Sequence, residues 1–229
     1  EFDKLYQKLK EVDPLNPYFE KVNPQLHSGK IKRHLVPMLS IETEVDYSFQ
    51  GLKNFDRRVK EYLSSTETIE YIMELKYDGL GLNLYYEQGH LKYATVRGDG
   101  EKGEDVTHCL PLFGKDIPTF IPGVTTNFEI RGEAMMTQEE FLRINDVLES
   151  EGKKRLANAR NAVAGTVRTL DLSKVEGRSL VFFPYCFGGG QPPSHLKSQS
   201  EVLLWFKDYF TFPKNRWVTP KTVTWDLGY

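Results

Sequence analysis

The chain has 229 residues, 39% hydrophobic and 27% charged, which excludes a disordered or fibrous protein and allows one or two domains with a substantial core. Lysine and arginine total 30 against 32 aspartates and glutamates, so the net charge is −2 and any nucleic-acid surface must be local. No apolar run approaches the ~20 residues of a membrane span. Cys109 and Cys186 are far apart and the five histidines are scattered, which predicts a reduced, cytoplasmic setting and no protein-held metal.

The chain opens Glu1-Phe2-Asp3, with neither a signal peptide nor an initiator methionine, and so reads as a piece of something larger. Phe2, Leu5, Tyr6, Leu9 and Val12 follow the helical spacing that Pro14 and Pro17 stop. Residues 13–37 read as an irregular connection, and Phe49, Leu52, Phe55, Val59 and Tyr62 predict a second helix ending before Ser64. Ile69 to Leu75 reads as a strand. Leu80, Leu82, Leu84 and Tyr86 alternate into a tight Gln88-Gly89 turn, with a return strand over Leu91 to Arg97. A further strand spans Phe128 to Met135. Thr137 and Glu140 form a capping box for a helix that buries Phe141, Leu142, Ile144, Val147 and Leu148. A helix over 158–169, a strand over Leu180 to Phe187, a loop at Gly188-Gly189-Gly190, a helix over 196–210 and a short strand near Trp217 complete the chain. Hairpins among separate helices predict an α+β fold with antiparallel sheets.

Chemistry concentrates at Glu74-Leu75-Lys76-Tyr77-Asp78-Gly79. If extended geometry persists, Glu74, Lys76 and Asp78 share a face beside a glycine-permitted turn. That row suits a lysine nucleophile near a nucleotide; a surface ladder of mixed charge is the plainer alternative. Arg97-Gly98-Asp99-Gly100 follows the return strand, departs from the phosphate-loop pattern, and reads on its own as a flexible turn. Glu129, Arg131 and Glu133 share one strand face. They make either a solvated ion-pair ladder or an acidic acceptor for ribose hydroxyls, with Gly132 admitting the ligand. Arg160 and Arg168 lie on one helical row about 12 Å apart. They are either solvated or able to bridge phosphates of a nucleic-acid backbone.

Together with His34-Leu35-Val36-Pro37-Met38-Leu39-Ser40, Gly103-Glu104-Asp105 and Thr169-Leu170-Asp171, these clusters resemble the adenylation domain of bacterial NAD⁺-dependent DNA ligases, in order and about in spacing. The resemblance is good over residues 30–190 and implies a nucleotidyltransferase (ATP-grasp-like) fold. It implies residues 1–25 as the end of a helical nicotinamide-mononucleotide-binding region and 26–229 as the adenylation domain. It implies Lys76 as the nucleophile that takes AMP from NAD⁺, with Asp78 orienting it. Glu74 would read the adenine amino group, Tyr77 would contact the base through its backbone, and Ser40 and Ile41 would line the pocket. Arg97 and Glu133 would meet phosphate and ribose, and Arg160 and Arg168 would face nicked double-stranded DNA. Mg²⁺ held by phosphates and water, a monomeric state and further ligase domains in the full-length protein are also implied. The resemblance further leads to an expected upstream nicotinamide-gripping helix and later lysine strands, which are missing from these residues. Ala159 stands where the family usually has proline. An ATP- or GTP-using ligase or capping enzyme, and a non-catalytic nucleotide- or nick-binding homologue, are the alternatives.

Overall fold

A computed structural model describes residues 30–41, 48–211 and the backbone of 221–223, with Lys8, Val12 and Asp13 near the N-terminus. Most of the helix expected over 2–12, the connection from 14 to 29 and the strand near Trp217 lie outside the described residues.

Alternation builds the central sheet. Strand β3 (Leu80–Glu87) turns Leu82, Leu84 and Tyr86 to one face, all three fully buried. Gln88 and Gly89, at φ 50° and 79°, form the two-residue turn into β4 (His90–Val96). Left-handed backbone at both positions matches the twist of the flanking strands. β6 (Asn127–Met135) pairs with the other edge of β3, and β7 (Val181–Gly190) pairs with β6. The antiparallel order is β4-β3-β6-β7. Two short antiparallel pairs stand apart from it: Ile31–Arg33 (β1) with Lys102–Glu104 (β5), and Tyr71–Met73 (β2) with Lys221–Val223 (β8).

One sheet face carries the core. Leu82, Leu84, Ala94, Phe128, Ile130 and Phe182 meet Val163 and Val167 of helix α3 (Ala159–Arg168) and Leu203 and Phe206 of α4 (Gln199–Tyr209). Each such side chain contributes roughly 1.5–3 kcal/mol of hydrophobic stabilisation. Helix α1 (Phe49–Leu63) forms as expected, capped by Ser48 and ended by left-handed Ser64.

Four expectations need correction. The strand over 69–75 contracts to Tyr71–Met73, and among the described residues Glu74 to Asp78 carry no ladder. Gly188 to Gly190 belong to β7 rather than to a loop. Their missing side chains make room for a crossing segment: a Cβ on Gly189 would lie 2.5 Å from Leu35 Cβ. Helix α2 (Gln138–Ser150) buries Ile144, but Leu142 and Val147 stay 46% and 44% exposed, because only a narrow stripe meets the core. Thr137 Oγ1 accepts from Glu140 N at 3.1 Å, yet the Glu140 carboxylate turns to Arg143 and Ser179 N instead of closing the box. The reciprocal box appears at Ser198 and Glu201, at the start of α4.

A pH dependence follows from Asp116. Burial pushes its carboxyl from 3.8 up to about 6, opposed by the Phe182 backbone hydrogen bond. A raised acid favours the protonated fold. Its stabilisation is therefore fully present below pH 3.8 and is lost as pH rises through about 6. Asp116→Asn should melt higher than wild type at pH 7–8, with the gap closing at pH 4; equal gaps at both pH values would refute the assignment.

Candidate active site

The second sheet face carries the polar residues. Glu129, Arg131 and Glu133 alternate with the core residues of β6, and Asn83 and Thr95 do so on β3 and β4. β7 continues that face with Phe183 opposite Glu133 and Cys186 opposite Arg131. The register slips between them, so Tyr185 is the extra residue of a bulge, a device that re-aims a side chain. Arg97, Arg131, Glu133 and Cys186 all act electrostatically on the Tyr185 phenol, and burial pushes it up to about 12.

The Lys76 segment comes down onto this face from β2. Tyr77 turns inward and stacks on Phe183, centroids 4.3 Å apart. Lys76, Asp78 and Glu74 stay exposed. Gly79 N donates to Glu133 Oε1 at 3.1 Å. Gly79 has no left-handed backbone, which corrects the turn expected there; it is small because a Cβ would lie 2.2 Å from the Ala134 carbonyl. Gly132 also serves a different purpose from ligand access. Its Cβ position points to the core side, 2.3 Å from the Phe182 ring.

Glu133 gathers the cluster. Burial raises its carboxyl above the ordinary value, while the Gly79 amide, Lys76 and Arg160 pull it back and Asp78 raises it further. Arg160 therefore points toward this site: Nη1 donates to Asp78 Oδ1 at 3.0 Å, with both side chains largely exposed. Asn158 caps the helix that positions Arg160, accepting from Asn161 N at 2.8 Å. Arg168 lies in the last turn of the same helix, partly exposed.

Ser40 and Ile41 lie on a strap over residues 34–41, where Ser40 meets Arg97 and Ile41 is exposed. Arg97 donates to Met38 O at 3.0 Å and to Ser40 Oγ at 2.7 Å. The Arg97 carbonyl accepts from His34 Nε2 at 3.0 Å, which leaves Nδ1 as the acceptor facing the Asn83 amide at 3.4 Å. The glycine-rich turn after Arg97 is built rather than loose. Gly98 and Gly100 sit at φ 60° and 98°, and Asp99 Oδ1 accepts from Glu101 N and Lys102 N. Those amides hold the Asp99 carboxyl below its ordinary value.

Glu74 acts electrostatically on Cys186, and Gln199 Nε2 donates to its Oε1 at 3.0 Å. Sequence reasoning missed Tyr185, hidden in an apolar run, and Gln199, the first residue of a solvated helix. A separate hollow of about 700 Å³, bounded by Pro192, His195, Trp205 and Tyr209, contains none of the expected site residues. Among the described residues, no three His, Cys, Asp or Glu side chains converge as metal ligands. No helix among them is long and apolar enough to cross a membrane.

Comparison with known proteins adds sequence-wide relationships to this geometry. The family described as NAD-dependent DNA ligase adenylation domain matches residues 28–220. A DNA ligase of Desulforamulus reducens is 38% identical, with 91% of this chain and 32% of that protein covered. A DNA ligase of Bdellovibrio bacteriovorus is 36% identical, with 91% of this chain and 31% of that protein covered. The chain thus spans about a third of the length of these curated relatives.

Proposed function

The chain belongs to the NAD-dependent DNA ligase adenylation domain family, and from that premise we propose that it takes AMP from NAD⁺ onto Lys76 and passes it to a nick in double-stranded DNA. The observation that carries this reading is the convergence on Glu133. Its carboxylate receives the Gly79 amide of the Lys76-Tyr77-Asp78-Gly79 segment, while Lys76, Asp78 and Arg160 all act on it electrostatically. A neutral lysine amine is the nucleophile such chemistry needs. In the proposed step Lys76 Nζ forms a bond to the α-phosphorus. The bridging phosphorus–oxygen bond of NAD⁺ breaks, and nicotinamide mononucleotide leaves with the electron pair. The proton displaced from Nζ has Glu133 nearby as an acceptor, whose carboxyl burial raises above its ordinary value.

The remaining roles follow the same placement. Ser40 and Ile41 edge the adenylate pocket from the strap, Arg97 joins them from the end of β4, Glu74 addresses the base, and the Tyr77 backbone runs past it. Glu133 is the ribose-side carboxylate. Arg160, paired with Asp78 before substrate arrives, and Arg168, two turns on, form the DNA-facing row. The described side chains do not form a cage for Mg²⁺, so any Mg²⁺ would travel with the substrate phosphates. The nucleotidyltransferase fold, a helical nicotinamide-binding region over 1–25 ahead of the domain at 26–229, a monomeric state, further domains in the full-length protein and a cytoplasmic location are part of the same proposal. The family match beginning at residue 28 supports the start of the adenylation domain, and the one-third coverage of the relatives supports further domains.

The test is a two-stage label transfer with the full-length protein. NAD⁺ labelled in its adenylate should leave a covalently labelled protein on a denaturing gel. A nicked duplex bearing a 5′-phosphate should then discharge the label to DNA. Labelling from ATP alone would overturn the NAD⁺ assignment, and label that nicked DNA does not discharge would overturn the DNA assignment.

A further inference from the structure

We propose that Gln199 is a positioning residue for base selection, holding the Glu74 carboxylate so that the pocket accepts a 6-amino purine and rejects a 6-oxo purine. This rests on the reading that Glu74 faces the base. Gln199 Nε2 donates to two acceptors at once: the Tyr185 carbonyl at 2.7 Å and Glu74 Oε1 at 3.0 Å. Both partners can only accept, since one is a backbone carbonyl and the other an ionised carboxylate, so the nitrogen must be the atom facing them.

The geometry links a fixed point to a free one. Tyr185 sits in the bulge of β7, within the four-stranded sheet. Glu74 lies in the exposed run after β2, where among the described residues no ladder partner fixes the backbone. An exposed glutamate on such a segment would otherwise sample many rotamers, and fixing it on binding costs side-chain entropy. Gln199 is itself held at its backbone as the first residue of α4, behind the Ser198–Glu201 capping box. Its bond occupies Oε1 and leaves Glu74 Oε2 to accept from an exocyclic amine. A 6-oxo group in the same place would set oxygen against carboxylate oxygen. Discrimination of this kind comes from an unpaired or repelled polar group in the wrong complex.

The experiment compares AMP and IMP binding by calorimetry, with a thermal melt of each variant. Wild type should bind AMP at least about 10-fold tighter than IMP. Glu74→Ala should erase that preference. Gln199→Met keeps the length and removes both donors, so it should cut the preference about 3- to 10-fold while IMP affinity and the melt stay near wild type. Gln199→Glu, which sets a carboxylate against Glu74 and the Tyr185 carbonyl, should cut it further. If Glu74→Ala erases the preference but Gln199→Met leaves it intact, the positioning role falls and the base reading survives. A uniform loss of AMP and IMP affinity in Gln199→Met makes the role merely structural and also overturns it. If wild type binds AMP and IMP equally or not at all, or Glu74→Ala keeps the preference, the base reading falls and the proposal with it.

Discussion

Lys76→Ala should leave no covalent label after incubation with adenylate-labelled NAD⁺, while AMP binding stays within a few-fold of wild type. The loss is expected to be complete because the substitution removes the atom that forms the phosphorus bond, rather than an atom that stabilises its formation. Lys76→Arg should be equally unlabelled: it keeps the charge, but the guanidinium stays protonated and offers no lone pair. Neither change should threaten the fold, since Lys76 is exposed and among the described residues no ladder runs through its segment. The residues that follow hold the segment instead, through Tyr77 on Phe183 and Gly79 on Glu133. Glu133→Gln probes that anchor separately. It can still accept the Gly79 amide but loses the negative charge facing Lys76 and Arg160, so labelling should slow by an order of magnitude or more with the melt unchanged. A Lys76→Ala protein that labels like wild type would transfer the nucleophile role to another residue.

How far the sequence reached depends on the range of the interaction that decides each feature. The Gln88-Gly89 turn, the Thr137 cap and the alternation of Leu82, Leu84 and Tyr86 are settled by residues a few places apart, and they were readable. The Lys76 row was readable as a constellation but not as a strand. Alternating residues supply a pattern, yet among the described residues β2 finds its partner only at residues 71–73 and β3 begins pairing at Leu80. Glu129-Arg131-Glu133 offered two local readings, a solvated ladder or a ligand face. The residues that bury Glu129 completely come from the 34–37 strap, 94 positions away, which no local pattern announces. The same strap explains why Gly188 to Gly190 looked like a loop. Three glycines usually break structure, but here Gly189 lets the strap lie on the strand while Gly188 makes room for Arg131 and Glu129. Gln199 was invisible for a related reason. Its partner Glu74 is 125 residues away, and a glutamine at the start of a helix resembles any solvated residue.

Glu129→Ala should destabilise the protein by about 3–5 kcal/mol, the cost of leaving a buried charge without its partner. For a chain of this length that is roughly a 10 °C fall in melting temperature. Glu129 is fully buried beside Arg131, whose side chain is 11% exposed, at 3.6 Å. Its Oε1 accepts from Leu35 N at 2.9 Å, and Arg131 donates to the Val36 and Pro37 carbonyls. The pair therefore latches the strap onto the sheet through three consecutive residues, and the same strap presents Met38 O and Ser40 Oγ to Arg97. The fit is tight: a Cβ on Gly188 would lie 2.6 Å from Arg131 Nε and 2.9 Å from Glu129 Cβ. Because Oε2 and Nε find no hydrogen-bond partner among the described residues, the pair is better placed to fix the strap than to add net stability. Glu129→Gln separates the two contributions. Its amide oxygen can still receive Leu35 N, so the loss should be smaller and should come from Arg131 without a counterion. Gly188→Ala should mimic the charge deletion by wedging the pair apart. In all three variants AMP affinity should fall together with stability, since release of Leu35 to Pro37 frees the segment that carries Ser40 and Ile41. A Glu129→Ala protein that melts within a degree of wild type and keeps its AMP affinity would show that the strap is held by other contacts.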